Sequence, residues 1–351
     1  MAAVFRVVSA WLAGITAAGM IVGVTSRPGY AVNPATHDRV GYPVLTRAAR
    51  SVGDPEGIRA PEAVIADARD GHILWSRDQN AERPVASITK VMTALVVLKS
   101  GGLDRRVAIP GAVSWYVRVN DASNAGLRTG DRLRAGQLLY ALLLPSGADA
   151  AYALAQAYGP GLPAFVARMN ATARQLSMRH TRFANFDGLP YPAADPGYST
   201  AADLIVLGRA AMTWRTFRQV VGARAYRVRS GTGHGSYYWR NPNPLIGSPG
   251  VRGIKGGWTT AAGQCLLFEA SRGGASLIGV VLGERSLSYV VRDASRLLGW
   301  GFAHMPGPRR QKTPPPPLPP LPPPLPVAPV VTSTPVPATP AANPSQFASR
   351  S

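Results

Sequence analysis

A proline-rich segment closes the sequence and limits what can fold to the residues before it. Proline occupies 17 of the 46 positions from Pro306 onward, with four in succession at 314–317. Such a segment favours polyproline II, which has no internal hydrogen bonds and builds no core. At about 3.1 Å per residue it could extend on the order of 100 Å. We therefore expect 305–351 to be a disordered spacer, or alternatively a ligand for a proline-binding partner.

An apolar segment near the start has the pattern of an export signal. Arg6 precedes an apolar run from Val7 to Val24, and Gly29-Tyr30-Ala31 offers a small-x-small cleavage site. The run is long for a signal peptide and barely long enough to span a bilayer. We expect residues 1–31 to be a cleaved signal peptide or a retained membrane anchor, followed by a linker at 32–55. Both alternatives export the protein to the periplasmic or cell-wall side, either secreted or tethered to the membrane.

Residues 56–304 are predicted to form one globular domain of the α/β class (α+β type). The chain is 46% hydrophobic, which is ample for a packed core. Short apolar segments beside turns, such as the one at Asp70-Gly71, and helical spacing of apolar residues indicate strands, then helices, then strands and a final helix. This order predicts an antiparallel β-sheet flanked by helices. The predicted elements are strands at 63–66, 73–75, 265–270 and 277–282, helix-like stretches at 87–98, 138–152 and 165–176, and a last helix ending near Leu298.

Charge and composition argue against two classes of function. The formal net charge is +20, but 34 of the 38 cationic residues are arginines spread along the chain, with no nucleic-acid-binding motif. An arginine-biased genome accounts for this charge; attraction to acidic lipid or cell-wall phosphate is the alternative. The single Cys265 and five scattered histidines provide neither a disulfide framework nor a metal-ligand spacing. We therefore predict no metal and no cofactor.

The four lysines are more informative than the arginines, because a lysine amine can act as a base when burial lowers its pKa. Lys90 follows Ser87 by three positions in a predicted helix, so both side chains lie on one face. A desolvated amine beside a serine hydroxyl can take its proton and make it a nucleophile. The alternative is an ordinary helix start with Ser87 as the N-cap.

Two further motifs follow in order. Ser146-Gly147-Ala148 comes after an apolar run and a proline, and Lys255-Gly256-Gly257 lies on a predicted strand. A glycine at position 257 would let another backbone approach closely, although a glycine-rich turn is the simpler interpretation of this tripeptide alone. Ser-x-x-Lys, then Ser-x-x, then Lys-x-Gly is the layout of the penicillin-recognising serine enzymes.

On these motifs the chain resembles the low-molecular-mass penicillin-binding proteins that are D-alanyl-D-alanine carboxypeptidases. The resemblance covers about residues 62–303 and implies a β-lactamase/DD-peptidase-like catalytic domain with an all-helical subdomain beside the sheet. The segments that carry it are Arg83–Ala94, Leu143–Gly147, Phe183–Pro190, Pro249–Lys255 and Leu297–Phe302.

The resemblance also implies roles for the matching residues. Ser87 would be the acylated nucleophile and Lys90 its base, while Ser146 would relay a proton to the departing D-Ala. Lys255 would meet the substrate carboxylate and help lower the pKa of Lys90. Three neighbouring residues would complete the substrate-binding strand, namely Gly257, Trp258 and Thr259.

The implied reaction trims pentapeptide stems of peptidoglycan to tetrapeptides. The backbone N–H groups of Ser87 and Trp258 would form the oxyanion hole. The substrates would be peptidoglycan stem peptides, and β-lactams would be covalent inhibitors.

Two departures from the family pattern leave an alternative open. Ala148 stands where the family usually has Asn, and Gly256 stands where it usually has Thr, with Thr259 or Thr260 as possible substitutes. Each lost hydrogen bond would cost roughly 1–3 kcal/mol. The alternative is a catalytically weak or inactive protein that binds stem peptide or a cell-wall partner. Because Phe302 leads almost directly into the proline-rich tail, we expect any tether to use the N-terminal segment.

Other serine enzymes fit less well. A class A β-lactamase needs a glutamate for deacylation, and none of the five glutamates lies between Ser87 and Lys255. A penicilloyl-enzyme is therefore expected to be long-lived. No G-x-S-x-G motif of an α/β-hydrolase occurs.

Overall fold

The computed structural model of the protein describes residues 53–190 and 195–305. The strands are β1 (Glu62–Asp67), β2 (Ile73–Arg77), β3 (Arg106–Ala108), β4 (Arg132–Arg134), β5 (Arg182–Phe183), β6 (Gly197–Tyr198), β7 (Ala225–Val228), β8 (Tyr237–Arg240), β9 (Val251–Thr259), β10 (Gly263–Arg272) and β11 (Ala275–Glu284). The helices are α1 (Thr89–Ser100), α2 (Ala112–Val119), α3 (Ala135–Leu143), α4 (Ala148–Tyr158), α5 (Leu162–Gln175), α6 (Ala201–Met212), α7 (Arg215–Gly222) and α8 (Leu287–His304), and a short 3-10 helix spans Ala86–Ile88.

The central sheet joins the first strands of the described chain to its last ones. Its order is β2-β1-β11-β10-β9, and every neighbouring pair is antiparallel. Successive side chains point to opposite faces, so Ile65 and Phe268 pack towards α8 whereas Val64 and Leu267 pack towards the other helices. The predicted antiparallel sheet flanked by helices is confirmed.

A helical region beside the sheet is built around α4, which packs against α1, α2, α3 and α5. The stretch predicted as helix-like over 138–152 is two helices, because the chain turns between α3 and α4. Pro145 lacks the N–H that a continuous helix needs, and Ser146 adopts a left-handed φ of +62°. This turn carries the second motif.

The prediction that the last helix ends near Leu298 is wrong, since α8 continues to His304. Gly299 and Gly301 do not end it. At Gly301 the missing side chain lets the helix lie against the sheet, because a Cβ there would come within 2.7 Å of Leu277. The extra turn therefore belongs to the core.

Three of the predicted segments lie largely outside the described residues, namely the export segment at 1–31, the linker at 32–55 and the tail at 305–351. Within 53–190 and 195–305, no helix combines the length and apolar character needed to cross a bilayer.

Candidate active site

Ser87 lies in the 3-10 helix that leads directly into α1. Ile88 is the N-cap of α1, and no side chain caps that helix. The N-cap interpretation of Ser87 is therefore wrong. Ala86 immediately before it has a left-handed φ of +47°, an uncommon conformation for a residue with a side chain. Such strained positions cluster at functional sites, where surrounding packing holds them.

The Lys90 amine is buried against the Ser87 hydroxyl. Its Nζ lies 2.9 Å from Ser87 Oγ and 3.1 Å from the carbonyl oxygen of Asp187, and the residue is 1% exposed. Burial lowers the pKa of Lys90, while the carboxylates of Asp187 and Asp149 act in the opposite direction. The arrangement holds an amine with a lowered pKa within proton-transfer distance of a hydroxyl.

A loop at 185–189 packs against the segment that carries these two residues. Gly188 has a φ of +82°, and a Cβ there would lie 2.0 Å from the carbonyl oxygen of Ala86. The Asp187 carboxylate accepts hydrogen bonds from the Tyr116 hydroxyl at 2.9 Å and from the N–H of Leu189 at 3.1 Å. Only glycine at position 188 allows this loop to press against the nucleophile segment.

The second motif contributes a buried hydroxyl. Ser146 Oγ is inaccessible to solvent and has no hydrogen-bond partner within the described part of the chain. Its left-handed backbone places it in the turn before α4, the helix that packs against α1. An unpartnered buried hydroxyl is costly unless a ligand or water satisfies it.

Asp149, three residues after Ser146, holds the loop around residues 123–127 that lies over this motif. Its carboxylate accepts hydrogen bonds from the N–H groups of Ala125 at 2.9 Å, Leu127 at 3.0 Å and Ala150 at 2.9 Å. The N–H of Ala148 donates to the Ser123 carbonyl at 2.8 Å. Burial raises the pKa of Asp149, and these backbone donors oppose that shift.

The third motif lies on β9, with Gly257 against the nucleophile segment. A Cβ at position 257 would lie 2.8 Å from the backbone nitrogen of Ser87, so only glycine permits this contact. Lys255 is 4% exposed and donates to the Gly256 carbonyl at 2.7 Å. Burial, together with repulsion from Lys90, lowers the pKa of Lys255 to about 7.

A family model for D-alanyl-D-alanine carboxypeptidases matches residues 48–286. The chain belongs to the D-alanyl-D-alanine carboxypeptidase family. It is 41% identical over 246 residues to the D-alanyl-D-alanine carboxypeptidase of Streptomyces sp. strain K15, a match that covers 66% of this chain and 84% of that protein. It is 36% identical over 264 residues to a carboxypeptidase of Mycobacterium tuberculosis, covering 74% of this chain and 87% of the relative.

Solved structures of family members have the same fold. The crystal structure of the Streptomyces K15 DD-transpeptidase aligns with a TM-score of 0.66 at 39% identity, covering 70% of this chain and 98% of that chain. The M. tuberculosis H37Rv D-alanyl-D-alanine carboxypeptidase aligns with a TM-score of 0.68 at 34% identity, covering 75% and 97%. The DD-peptidase-like fold is confirmed, and family membership favours the carboxypeptidase over the inactive binder.

The two departures from the family pattern differ in their surroundings. Ala148 is fully buried as the first residue of α4. At Gly256, in contrast, the nearest atom to an added Cβ would be 3.7 Å away. A side chain can therefore begin at position 256 without displacing any neighbour.

The last two predicted substrate-binding residues have different surroundings. Trp258 exposes 60% of its surface next to Gly257. The Thr259 hydroxyl accepts a hydrogen bond from the N–H of Ala262 at 3.1 Å and so holds the turn between β9 and β10. Asp187 lies in the landmark segment at 183–190, but no role was predicted for it, and nothing in the sequence pointed to Tyr116 or Asp149.

Proposed function

We propose that the protein is a serine-type carboxypeptidase that removes the terminal D-Ala from peptidoglycan stem pentapeptides through an acyl-enzyme on Ser87. The observation that carries this proposal is the buried Lys90 amine 2.9 Å from the Ser87 hydroxyl. At that distance the amine can take the hydroxyl proton as the oxygen attacks a carbonyl.

In the acylation step, Ser87 Oγ attacks the carbonyl carbon of the penultimate D-Ala while Lys90 takes its proton. The oxyanion is stabilised by the N–H groups of Ser87 and Trp258. The close approach of Gly257 to the Ser87 nitrogen supports this pairing, because it brings β9 beside the nucleophile backbone. The C–N bond then breaks, and the proton that Lys90 took from Ser87 passes through the Ser146 hydroxyl to the departing amine, which leaves Lys90 neutral again.

Lys255 binds the terminal carboxylate of the substrate. The Gly256 carbonyl oxygen accepts one hydrogen bond from the Lys255 amine, so the other N–H donors of that amine remain for an anion. A bound carboxylate raises the pKa of the amine and keeps it protonated. In deacylation, water adds to the ester carbonyl while Lys90 takes a proton from it. The bond to Ser87 Oγ then breaks, Lys90 returns the proton to that oxygen, and the tetrapeptide is released.

The same chemistry predicts inhibition by β-lactams, which would acylate Ser87 and leave slowly. We propose a catalytic domain at 56–304 that works outside the cytoplasm. The segment 1–31 would export or tether it, and the tail at 305–351 would act as a spacer or as a ligand for a partner.

The test is release of D-Ala from diacetyl-Lys-D-Ala-D-Ala, with S87A as the inactive control. Mass spectrometry after penicillin exposure should show one adduct, located on Ser87. Adding glycine as an acceptor distinguishes hydrolysis from transfer to an amine. This comparison is needed because the Streptomyces K15 relative is a DD-transpeptidase. Tripeptide binding without D-Ala release or adduct would overturn the proposal.

A further inference from the structure

The hairpin of β7 and β8 is anchored by its inner face. Tyr237 and Trp239 alternate inward and are buried, with ring centroids 5.5 Å apart. Trp239 stacks in turn on Tyr226, and Tyr226 on Tyr140 of α3. This aromatic packing makes the hairpin a rigid part of the domain.

The hairpin is hydrogen-bonded to two other parts of the domain. On the helical side, Trp239 Nε1 donates to the carbonyl of Ala125 at 2.8 Å, in the loop that Asp149 holds. On the sheet side, Asn241 donates to the carbonyl of Val221 at 3.0 Å. Val221 packs against Gly253 on β9, two residues before Lys255. The hairpin therefore bridges the loop over the second motif and the strand that carries the third.

The outward hairpin face consists of Arg227, Tyr238 and Arg240, all exposed. Arg227 pairs across the strands with Tyr238, and its guanidinium carbon lies 5.2 Å from the centre of that ring. Arg240 follows on the same face, opposite Ala225. Within residues 53–190 and 195–305, neither arginine makes an ion pair with a carboxylate. Two unpaired cations flanking a 56%-exposed aromatic ring thus face solvent on a rigid support.

We infer that the outward hairpin face binds the peptidoglycan strand next to the stem that is being cleaved. This inference rests on the proposed function. Uncrosslinked stems end in carboxylates, which guanidinium groups bind bidentately. The apolar C–H faces of the sugar rings can pack on the exposed ring of Tyr238. Arg227 and Arg240 would hold neighbouring carboxylates, and Tyr238 would hold the glycan between them.

Binding is measured first, in the S87A background so that turnover does not interfere. The probe is purified peptidoglycan freed of covalently attached anionic polymers, sedimented with the protein. We expect R227A/R240A to bind about ten-fold more weakly at low ionic strength, with a smaller difference at high salt. Y238A should also weaken binding, and Y238F should not. R227Q/R240Q repeats the charge removal with longer side chains if the alanine variant unfolds.

The matched control is R174A/R179A, which removes the same charge from two other exposed arginines. Nonspecific attraction set by net charge would weaken equally in both double variants, whereas specific contacts at the hairpin predict that R174A/R179A binds within about two-fold of the parent. Equal binding by R227A/R240A, or an equal loss in R174A/R179A, would overturn the inference. So would binding confined to walls that retain their anionic polymers.

Turnover gives the second measurement, with Ser87 intact. R227A/R240A should release D-Ala from the soluble tripeptide at the parent kcat/KM but release it several-fold more slowly from polymeric peptidoglycan. Equal rates on the polymer would contradict the inference. If the parent fails to cleave the tripeptide, the proposed function fails, while the binding measurement on S87A still tests the hairpin.

Discussion

Two pairs of like-charged groups are buried in this domain, and they are stabilised in different ways. Lys90 and Lys255 are close enough for their charges to repel, whereas Glu284 and Asp293 interact between β11 and α8. Burial and mutual repulsion oppose the charged state in both pairs.

In the acid pair, Asp293 is the member that donors from the protein hold, whereas Glu284 Oε1 is buried without a partner among the described residues. Asp293 accepts from the N–H groups of Arg59 and Ala60 and from the Arg292 side chain. Burial alone would raise the pKa of Asp293, but these donors and a hydrogen bond from Glu284 lower it. Burial and the hydrogen bond to Asp293 raise the pKa of Glu284 to about 7. The Asp293 carboxylate ties α8 to the chain before β1, and Glu284 lies against it at the end of β11.

In the amine pair, Lys90 has several partners from the protein, whereas Lys255 has few. Lys90 contacts a hydroxyl and a carbonyl and is near two carboxylates, whereas Lys255 has the Gly256 carbonyl as its acceptor. The acid pair is therefore suited to holding the fold, and the amine pair to receiving an anion. The predictions below test this difference, beginning with the largest expected effect.

Replacing Lys90 by Met removes the amine that faces Ser87. We expect acylation by penicillin to slow about 10²- to 10⁴-fold, the usual contribution of a general base. Time-resolved mass spectrometry of the adduct measures the rate. Lys99→Met, further along the same helix, should acylate at the parent rate. Fast acylation by the Lys90 variant would mean that another group takes the proton.

The pH profile tests Lys255. Its pKa is lowered from 10.5 to about 7, so the free enzyme loses this cation as pH rises through 7. A lost charged hydrogen bond of about 1.5–3 kcal/mol corresponds to roughly a 10- to 100-fold fall in kcat/KM for the tripeptide. Lys255→Arg keeps its charge and should lack this descending limb. An unchanged limb in that variant would assign the titration to a different group.

Gly256→Thr tests whether the missing hydroxyl limits turnover. A Cβ fits at this position, and one restored hydrogen bond would raise kcat/KM about two- to ten-fold. Gly257→Thr is the matched control and should lose activity, because its Cβ would lie 2.8 Å from the Ser87 nitrogen. No gain in the first variant would indicate that this strand binds the carboxylate without residue 256.

Glu284→Gln tests the acid pair through stability. The folded-state pKa of Glu284 is raised from 4.5 to about 7, so the folded protein holds a proton that the unfolded chain releases. The free energy of unfolding should therefore fall as pH rises from about 4.5 to 7 and stay low above it. Each kcal/mol lowers Tm by roughly 2–4 °C. The Gln variant should lack this slope in calorimetry; a retained slope would exclude Glu284 as its source.

Local patterns predict part of the site and long-range packing supplies the rest. The contact between Ser87 and Lys90 follows from their i, i+3 spacing, and the close approach at Gly257 follows from the absence of a side chain. Asp187 reaches Lys90 from 97 residues away, and no periodicity encodes that distance. Asp149 binds a loop more than twenty residues earlier in the chain.

The fold, like the site, has parts that local sequence patterns predict and parts that depend on long-range packing. Short apolar runs predict β1, β2, β10 and β11, which are four of the five strands of the central sheet. The hairpin of β7 and β8 carries aromatic residues whose partners lie on other elements, such as Tyr140 on α3. Its strands are short and its inner face is defined only by those contacts. Sequence patterns alone therefore did not predict it.

The pairing of β1 with β11 has a consequence for how the domain is assembled. The residues that meet across it, such as Glu62 and Leu282, are about 220 positions apart in the chain. A ribosome must therefore complete nearly the whole domain before β1 gains its second neighbour. Neither half of the polypeptide contains a finished sheet, so separately expressed fragments should be unstable until they are mixed.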